Sequence, residues 1–206
     1  MIAAKTTLPA RRFLGFCENV NDYADAVNGD CEVFGFSTGQ FSLVDVLAAV
    51  VHRIGPSALT ISTWTAAKAE MTHVYDWLDR GAIVSAQWIV DRSFMNRQPE
   101  LCARLRSQFG DDALRVHRTH CKFAILRNDD RGVLIQTSAN LNKNMRIENV
   151  SVSACPVLLD AYTQLVASMF DTQAASVGFE DTGSATAAMH KIGGKKTRKK
   201  TIRVDW

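Results

Sequence analysis

The sequence predicts an α/β fold: one domain with a mixed, mostly parallel β-sheet flanked by helices, followed by a flexible basic tail. Three observations predict it. Between residues 31 and 110, short apolar runs alternate with segments of helical period, the pattern of strands joined by crossover helices. From residue 114 to 155 the spacing tightens into short strands and turns. Past Asp171 the chain becomes rich in Ala, Ser, Thr and Gly and then basic, a composition that builds no core. The 206 residues, 47% hydrophobic and 22% charged, suffice for one ordinary domain. The expected divisions are residues 1–30 as an N-terminal segment packed on the domain, 31–172 as the domain and 173–206 as the tail.

Residues 1–30 are weakly patterned, with a short helix expected over Glu18–Val27 and Gly29 near its end. Cys31–Phe36 reads as a buried strand, and Ser37–Ser42 as a polar turn. Ser42 followed by Asp45 marks a helix start, because the hydroxyl caps free amides and the acid suits the positive helix end. That helix carries Leu43, Val46, Leu47, Val50 and Val51, and Gly55-Pro56 ends it. Ala58–Trp64 is the next strand. Ala66–Leu78 is an amphipathic helix with Met71, Val74, Tyr75 and Leu78 on one side, and Gly81 stops it. Ala82–Val90 is a strand, and Pro99–Phe109 a helix closed by Gly110. Leu114–His117, His120–Leu126 and Val133–Thr137 follow as short strands. Asn128–Gly132 is turn sequence, so the last two should form a hairpin. With Asn128 and Gly132 flanking that turn, Lys122 pairs with Ser138 and His120 with Asn140, cross-strand neighbours about 5 Å apart. Val150–Cys155 is one more strand. Pro156–Phe170 is a helix opened by its proline, burying Leu158, Leu159, Tyr162, Leu165, Val166 and Met169.

Composition narrows the function classes. No apolar run is long enough to span a bilayer, so no membrane partner is expected, and no signal peptide is seen at the N-terminus. Five scattered cysteines suit reduced thiols in a cytoplasm; Cys121 and Cys155 are expected in the core. The net charge of +3 is uneven. Residues 174–206 hold seven Lys/Arg against three Asp/Glu, a net of +4, leaving the rest at −1. Such a tail, with Lys195, Lys196, Arg198, Lys199 and Lys200, can bind phosphate backbones through counterion release or simply solubilise. No His/Cys cluster has zinc-ligand spacing, so neither metal nor cofactor is expected.

The chemistry-bearing residues gather between 117 and 149. His120 and Lys122 are two apart, which on a strand puts both on one face. A reactive imidazole beside a fixed cation suits a phosphate: the cation binds it, and the imidazole attacks it or moves protons. Thr137-Ser138-Ala139-Asn140 and Arg146-Ile147-Glu148-Asn149 add a hydroxyl, a carboxamide and a carboxylate. Arg146 could instead pair with Glu148 on the surface. His117 reads as structural or at the groove edge, and His52, His73 and His190 as surface or tail residues. Trp64, at a strand end, is a candidate to stack on a base, with a core or rim aromatic as the alternative. Lys143 and Arg146 are further candidates for nucleic-acid contact.

These residues resemble the phospholipase D superfamily, whose signature is His-x-Lys, an Asp a few residues on, Gly-Ser-x-Asn a strand later, and often a Glu beyond. His120-Cys121-Lys122, Ser138-Ala139-Asn140-Leu141 and Arg146-Ile147-Glu148-Asn149 match. Phe36–Ser42 and Ser62-Thr63-Trp64 are similar to turns of prophage- and plasmid-type members. The resemblance covers residues 114–155 by motif and 31–172 by element order. It departs at two places: Arg127 and Asn128 stand where the Asp is expected, with Asp129 just after, and Thr137 replaces the Gly before Ser138. The resemblance implies a metal-independent phosphodiesterase of phospholipase D-like fold. Two His-x-Lys sites would face each other, one His attacking phosphorus to give a phosphohistidine while the other protonates the leaving oxygen. With one motif copy, the site would be shared by a homodimer. His120, Lys122, Ser138, Asn140 and Glu148 are the implied catalytic set, Glu148 orienting His120. Nucleic acid, DNA or RNA, is the expected substrate. The rival readings are a non-catalytic nucleic-acid-binding protein of the same fold and a lipid phosphodiesterase.

Overall fold

Eight strands form one sheet in the order β1-β2-β8-β7-β6-β3-β4-β5. They are β1 (Ala10–Phe16), β2 (Cys31–Ser37), β3 (Ser57–Thr63), β4 (Ile83–Asp91), β5 (Leu114–His117), β6 (Phe123–Arg127), β7 (Gly132–Thr137) and β8 (Glu148–Ser153). The helices are α1 (Asn21–Ala24), α2 (Leu43–Ile54), α3 (Lys68–Asp79), α4 (Arg92–Arg97), α5 (Pro99–Phe109) and α6 (Pro156–Asp171). This is a computed structural model that describes residues 10–29, 31–143 and 145–174. The tail residues Lys195, Lys196, Arg198, Lys199 and Lys200, and His190, lie outside the described residues. No described helix is long and apolar enough to cross a membrane.

The α/β architecture and the mixed sheet are as the sequence predicts, but parallel pairing does not dominate. Parallel ladders join β1 to β2, β3 to β4 and β4 to β5. The central pairings β2–β8, β8–β7, β7–β6 and β6–β3 are antiparallel. The tight turn after β6 and the short return to β8 leave no room for crossover helices, and a parallel connection needs one.

Helices cover the two faces unequally. On one face α2, α3 and α5 bury Leu47, Val50, Met71, Val74 and Leu105 against Leu59, Ile61, Trp88, Leu126 and Ile135. On the other, α6 packs Leu159, Val166 and Met169 on Ile89, Phe123, Ile125 and Leu134. Both faces of β6 are therefore buried, which is why Phe123–Leu126 reads as an unbroken apolar run. Ser42 caps α2 as the sequence predicts, its hydroxyl accepting the Asp45 amide, and the Asp45 carboxylate completes a capping box by accepting the Ser42 amide.

Three local expectations are corrected. Ala10–Phe16 is a strand, although one edge face in solvent gave it no core-like pattern: Phe13 is 64% and Phe16 60% exposed. The helix expected over Glu18–Val27 is only Asn21–Ala24 followed by a 3-10 turn over Asp25–Asn28. The hairpin register is one residue tighter than expected. Arg127 pairs with Gly132 and Phe123 with Gln136, so Lys122 stands opposite Thr137, whose amide donates to the Lys122 carbonyl at 3.2 Å. Asn128 causes the shift. Its side-chain oxygen accepts from the amides of Asp130 and Arg131 (3.1 and 2.8 Å), and its amide group donates to the Ile54 carbonyl at 2.7 Å. An Asn that caps its own turn belongs to the turn, not to the strand.

Candidate active site

The site assembles where β2, β3, β4 and β7 end and β6 and β8 begin. His120 and Lys122 lie just before β6 rather than inside it. Their segment is fixed on both sides. The Ser62 hydroxyl donates to the Cys121 carbonyl at 2.9 Å. The Thr119 amide donates to Asp91 Oδ2 at 3.1 Å, and the Cys121 amide to Thr119 Oγ1 at 3.1 Å. Asp91 also caps α4, accepting from the amide of Ser93 at 2.8 Å and from its hydroxyl. Burial raises the Asp91 carboxyl, but the hydroxyl and amide of Ser93, the amide of Thr119 and the charge of Arg97 hold it below the usual carboxylate value.

Lys122 is buried while His120 is exposed. The Lys122 ammonium lies 2.9 Å from His120 Nδ1 and 3.3 Å from Nε2, and donates to the His120 carbonyl at 2.9 Å. The cation and the imidazole are thus one unit. Burial pulls the Lys122 ammonium below the ordinary lysine value, against the opposing charges of Glu148, Cys121 and Asp91.

The second strand end supplies the remaining groups. Ser138 donates its hydroxyl to Glu148 and accepts the Asn149 amide at 3.0 Å. Thr137, where the related motif has Gly, is buried. Its hydroxyl donates to the Asn149 carbonyl at 2.7 Å and accepts the Ala139 amide at 2.9 Å, so the side chain itself shapes the turn. Leu141 then joins the loop after β3, its amide meeting Thr63 Oγ1 and the Thr65 carbonyl, both at 3.2 Å. Asn140 is held between these anchors. Its Oδ1 is buried and has no hydrogen-bond partner among the described residues.

Trp64 belongs to the site. Its ring centroid is 5.6 Å from that of His120 at 54°, and the guanidinium of Arg97 lies 3.8 Å from its centre. Arg97 also donates to the Trp64 carbonyl at 2.7 Å and to Ser93 Oγ at 3.2 Å. Gln98 holds the Trp64 loop as well, bonding the Thr65 hydroxyl and both backbone groups of Ala66.

The groove beside His120, about 360 Å3, is lined by Cys121, Lys122, Gln136, Ser138, Asn149 and Tyr162, among others. Two expectations change here. The ring nitrogens of His120 meet Lys122 rather than Glu148, whose carboxylate takes the Ser138 hydroxyl. Cys121 is exposed in the groove rather than in the core, whereas Cys155 is buried, because Cys121 precedes the strand whose alternation suggested burial. His117 is structural: it is buried, with Nε2 3.2 Å from the Met169 carbonyl, and burial lowers its pKa. Lys143 and Arg146 are exposed on the loop before β8. Among the described residues no group of three or more His, Cys, Asp or Glu is arranged to hold a metal ion. Sequence reasoning missed Asp91, Ser93, Thr119, Arg97 and Gln136. Asp91 and Ser93 carry a cap-like spacing at the end of a strand, and Gln136 is the one polar residue in Val133–Gln136, which were the available signals.

No family model and no curated protein matches the chain. Among solved structures it is similar to a polyphosphate kinase from Porphyromonas gingivalis, with TM-score 0.48 and 12% identity over 78% of this chain and 30% of that one. It is also similar to a phosphatidylserine synthase from Haemophilus influenzae Rd KW20, with TM-score 0.48 and 15% identity over 79% of this chain and 44% of that one. The chain spans less than half the length of either. The resemblance to the phospholipase D superfamily rests on His120, Lys122, Ser138, Asn140 and Glu148, of which His120, Lys122, Ser138 and Glu148 stand together at one end of a mixed α/β sheet.

Proposed function

We propose that this protein is a phosphodiesterase of the phospholipase D type, an endonuclease that cleaves DNA or RNA without a metal ion at a site shared by two copies of the chain. The observation that carries the proposal is the Lys122 ammonium bonded to the His120 imidazole, 2.9 Å away, in a groove also lined by Ser138. Lys122 and the carboxamide of Asn140 hold the phosphate oxygens and stabilise the charge that develops on them. The neutral His120 of one copy attacks phosphorus, forming the P–N bond as the P–O bond to the leaving group breaks. His120 of the second copy gives that oxygen its proton. A water then attacks phosphorus, breaks the P–N bond and returns a proton to the second imidazole. Glu148, bonded by the Ser138 hydroxyl, helps position the Asn140 loop and adds negative charge beside Lys122.

Three features support the dimer and the substrate. The chain carries one His-x-Lys motif. Met145 and Ile147, 82% and 66% exposed, flank the site and suit burial under a second copy. Lys143, Arg146 and the basic tail suit a phosphate backbone. All five cysteines are free, which suits a cytoplasmic setting. The test is cleavage of plasmid and single-stranded DNA and of RNA in EDTA by wild type and His120→Ala. Cleavage by wild type alone is expected. A requirement for divalent metal, or activity surviving in the variant, sinks the mechanism; a monomeric mass by light scattering at micromolar concentration sinks the shared site.

A further inference from the structure

The groove beside His120 continues past the reactive groups to a polar pair that the proposed chemistry does not use. Gln136, at the end of β7, donates its side-chain N–H to the hydroxyl of Tyr162 on α6. Both residues line the groove with Ser138 and Asn149. Tyr162 is held by Phe123, ring against ring at 5.0 Å and 79°, so its hydroxyl is a fixed point. Among the described residues the Gln136–Tyr162 bond is the one hydrogen bond either side chain makes. The pair therefore keeps unspent capacity: the phenol can donate, and the carboxamide oxygen can accept. Turning the carboxamide over exchanges the two roles but still leaves a donor and an acceptor toward the groove.

We infer that Gln136 and Tyr162 form a nucleoside subsite, reading the sugar or base next to the scissile phosphate through one donor and one acceptor; this rests on the phosphodiesterase reading of His120 and Lys122. The groove's volume, about 360 Å3, lies in the range of small-molecule sites, roughly 300–1,000 Å3. Its lining suits that occupant. Carboxamides and hydroxyls match the edges of a base or the hydroxyls of a sugar. A lipid chain would offer the remaining phenol donor and carboxamide acceptor no partner. Tyr162 stands on α6 and lines the groove with His120, so a substrate that reaches the pair runs from the phosphate position toward α6.

The test pairs two substrates. A dinucleoside monophosphate carries the diester and the nucleosides; methyl 4-nitrophenyl phosphate carries a diester alone. Tyr162→Phe keeps the ring on Phe123, and Gln136→Leu keeps the volume. Each is expected to lower kcat/KM for the dinucleoside monophosphate about tenfold, the worth of one well-placed hydrogen bond. Each should leave methyl 4-nitrophenyl phosphate within about twofold. Equal losses on both substrates, or none on either, overturn the subsite. If wild type hydrolyses neither diester, the phosphodiesterase reading fails first, and direct binding decides the subsite separately. A tenfold weaker Kd for the dinucleoside monophosphate in Tyr162→Phe supports it. Equal affinity, no binding, or tighter binding of glycerophosphocholine than of the dinucleotide overturns it.

Discussion

Replacing Trp64 with alanine separates two roles for this residue: a stacking platform for a base, or a wall that holds His120, the nucleophile of the proposed mechanism. The geometry favours the wall. One face of the indole is covered by the Arg97 guanidinium, 3.8 Å from the ring centre, and the ring meets His120 at 5.6 Å and 54°. At most one face is left for a base. Without the indole, His120 regains its other rotamers. Three equal wells would cost a factor of about three in the population of the attacking one. Displacement adds more, since an error of about 1 Å at a reacting group costs up to about 10²-fold. The expected loss in kcat is thus about 10- to 100-fold for Trp64→Ala, with KM changed less than about threefold. Trp64→Phe keeps a wall and should stay within about fivefold. The assay is steady-state hydrolysis in EDTA of two substrates, single-stranded DNA and methyl 4-nitrophenyl phosphate. If Trp64→Ala harms DNA cleavage alone, through KM, the indole is a stacking platform and the positioning argument is refuted.

Lys122 sets a pH limit. In the proposed mechanism its ammonium must stay charged to hold phosphate, and burial holds its pKa below the ordinary lysine value. Activity should therefore fall on the alkaline side at lower pH than a free lysine would dictate. Lys122→Arg, which stays charged, should remove that limb from the kcat/KM profile while lowering the plateau; an unchanged limb assigns it elsewhere. Thr137→Gly restores the related motif yet should destabilise. It loses bonds to the Asn149 carbonyl and the Ala139 amide, roughly 1 kcal/mol each, and adds glycine's backbone freedom, about 0.5–1 kcal/mol. A loss of about 2–3 kcal/mol is expected in urea denaturation, and a neutral result refutes the clamp. Asp91 has a lowered pKa in the fold, so its stabilising effect is full above the unfolded value near 3.8 and is lost as pH falls below it. Between pH 5 and pH 3, Asp91→Asn should lose less stability than wild type; parallel curves would remove Asp91 from the acid response.

Much of the layout was legible because it follows from local chemistry. Ser42 and Asp45 announce a helix start, and α2 begins there with the Ser42 hydroxyl as its cap. Pro156 opens α6 and Gly110 closes α5. What escaped detection is what depends on the rest of the molecule. β1 alternates too weakly to announce itself, since it is a strand only because β2 offers it a parallel edge. That antiparallel ladders outnumber parallel ones, four to three, was hidden because the order β8-β7-β6-β3 inserts strands from the second half of the chain beside one from the first. The stack of Arg97 on Trp64 joins residues 33 apart with no shared motif, and the bond from Thr119 to Asp91 spans 28. Such partners are found by the fold, not by spacing.

The hairpin shows why a register error did not scatter the site. A slip of one residue should exchange the faces of a strand, and the register is one residue tighter than the turn sequence suggested. Ser138 nevertheless lines the groove with Lys122. The reason is that β7 ends at Thr137, so alternation no longer decides where Ser138 points. Its place is set by three local bonds: its amide to the Asn149 carbonyl, the Asn149 amide to its hydroxyl, and that hydroxyl to Glu148. Thr137 anchors the same turn from inside the protein. The reactive groups therefore stand just beyond the strands, where backbone hydrogen bonds from two neighbouring ends fix them. Glycine would leave this turn free to choose its shape. Threonine chooses it with a hydroxyl, which makes the departure from the related motif at Thr137 a second way of building the same turn.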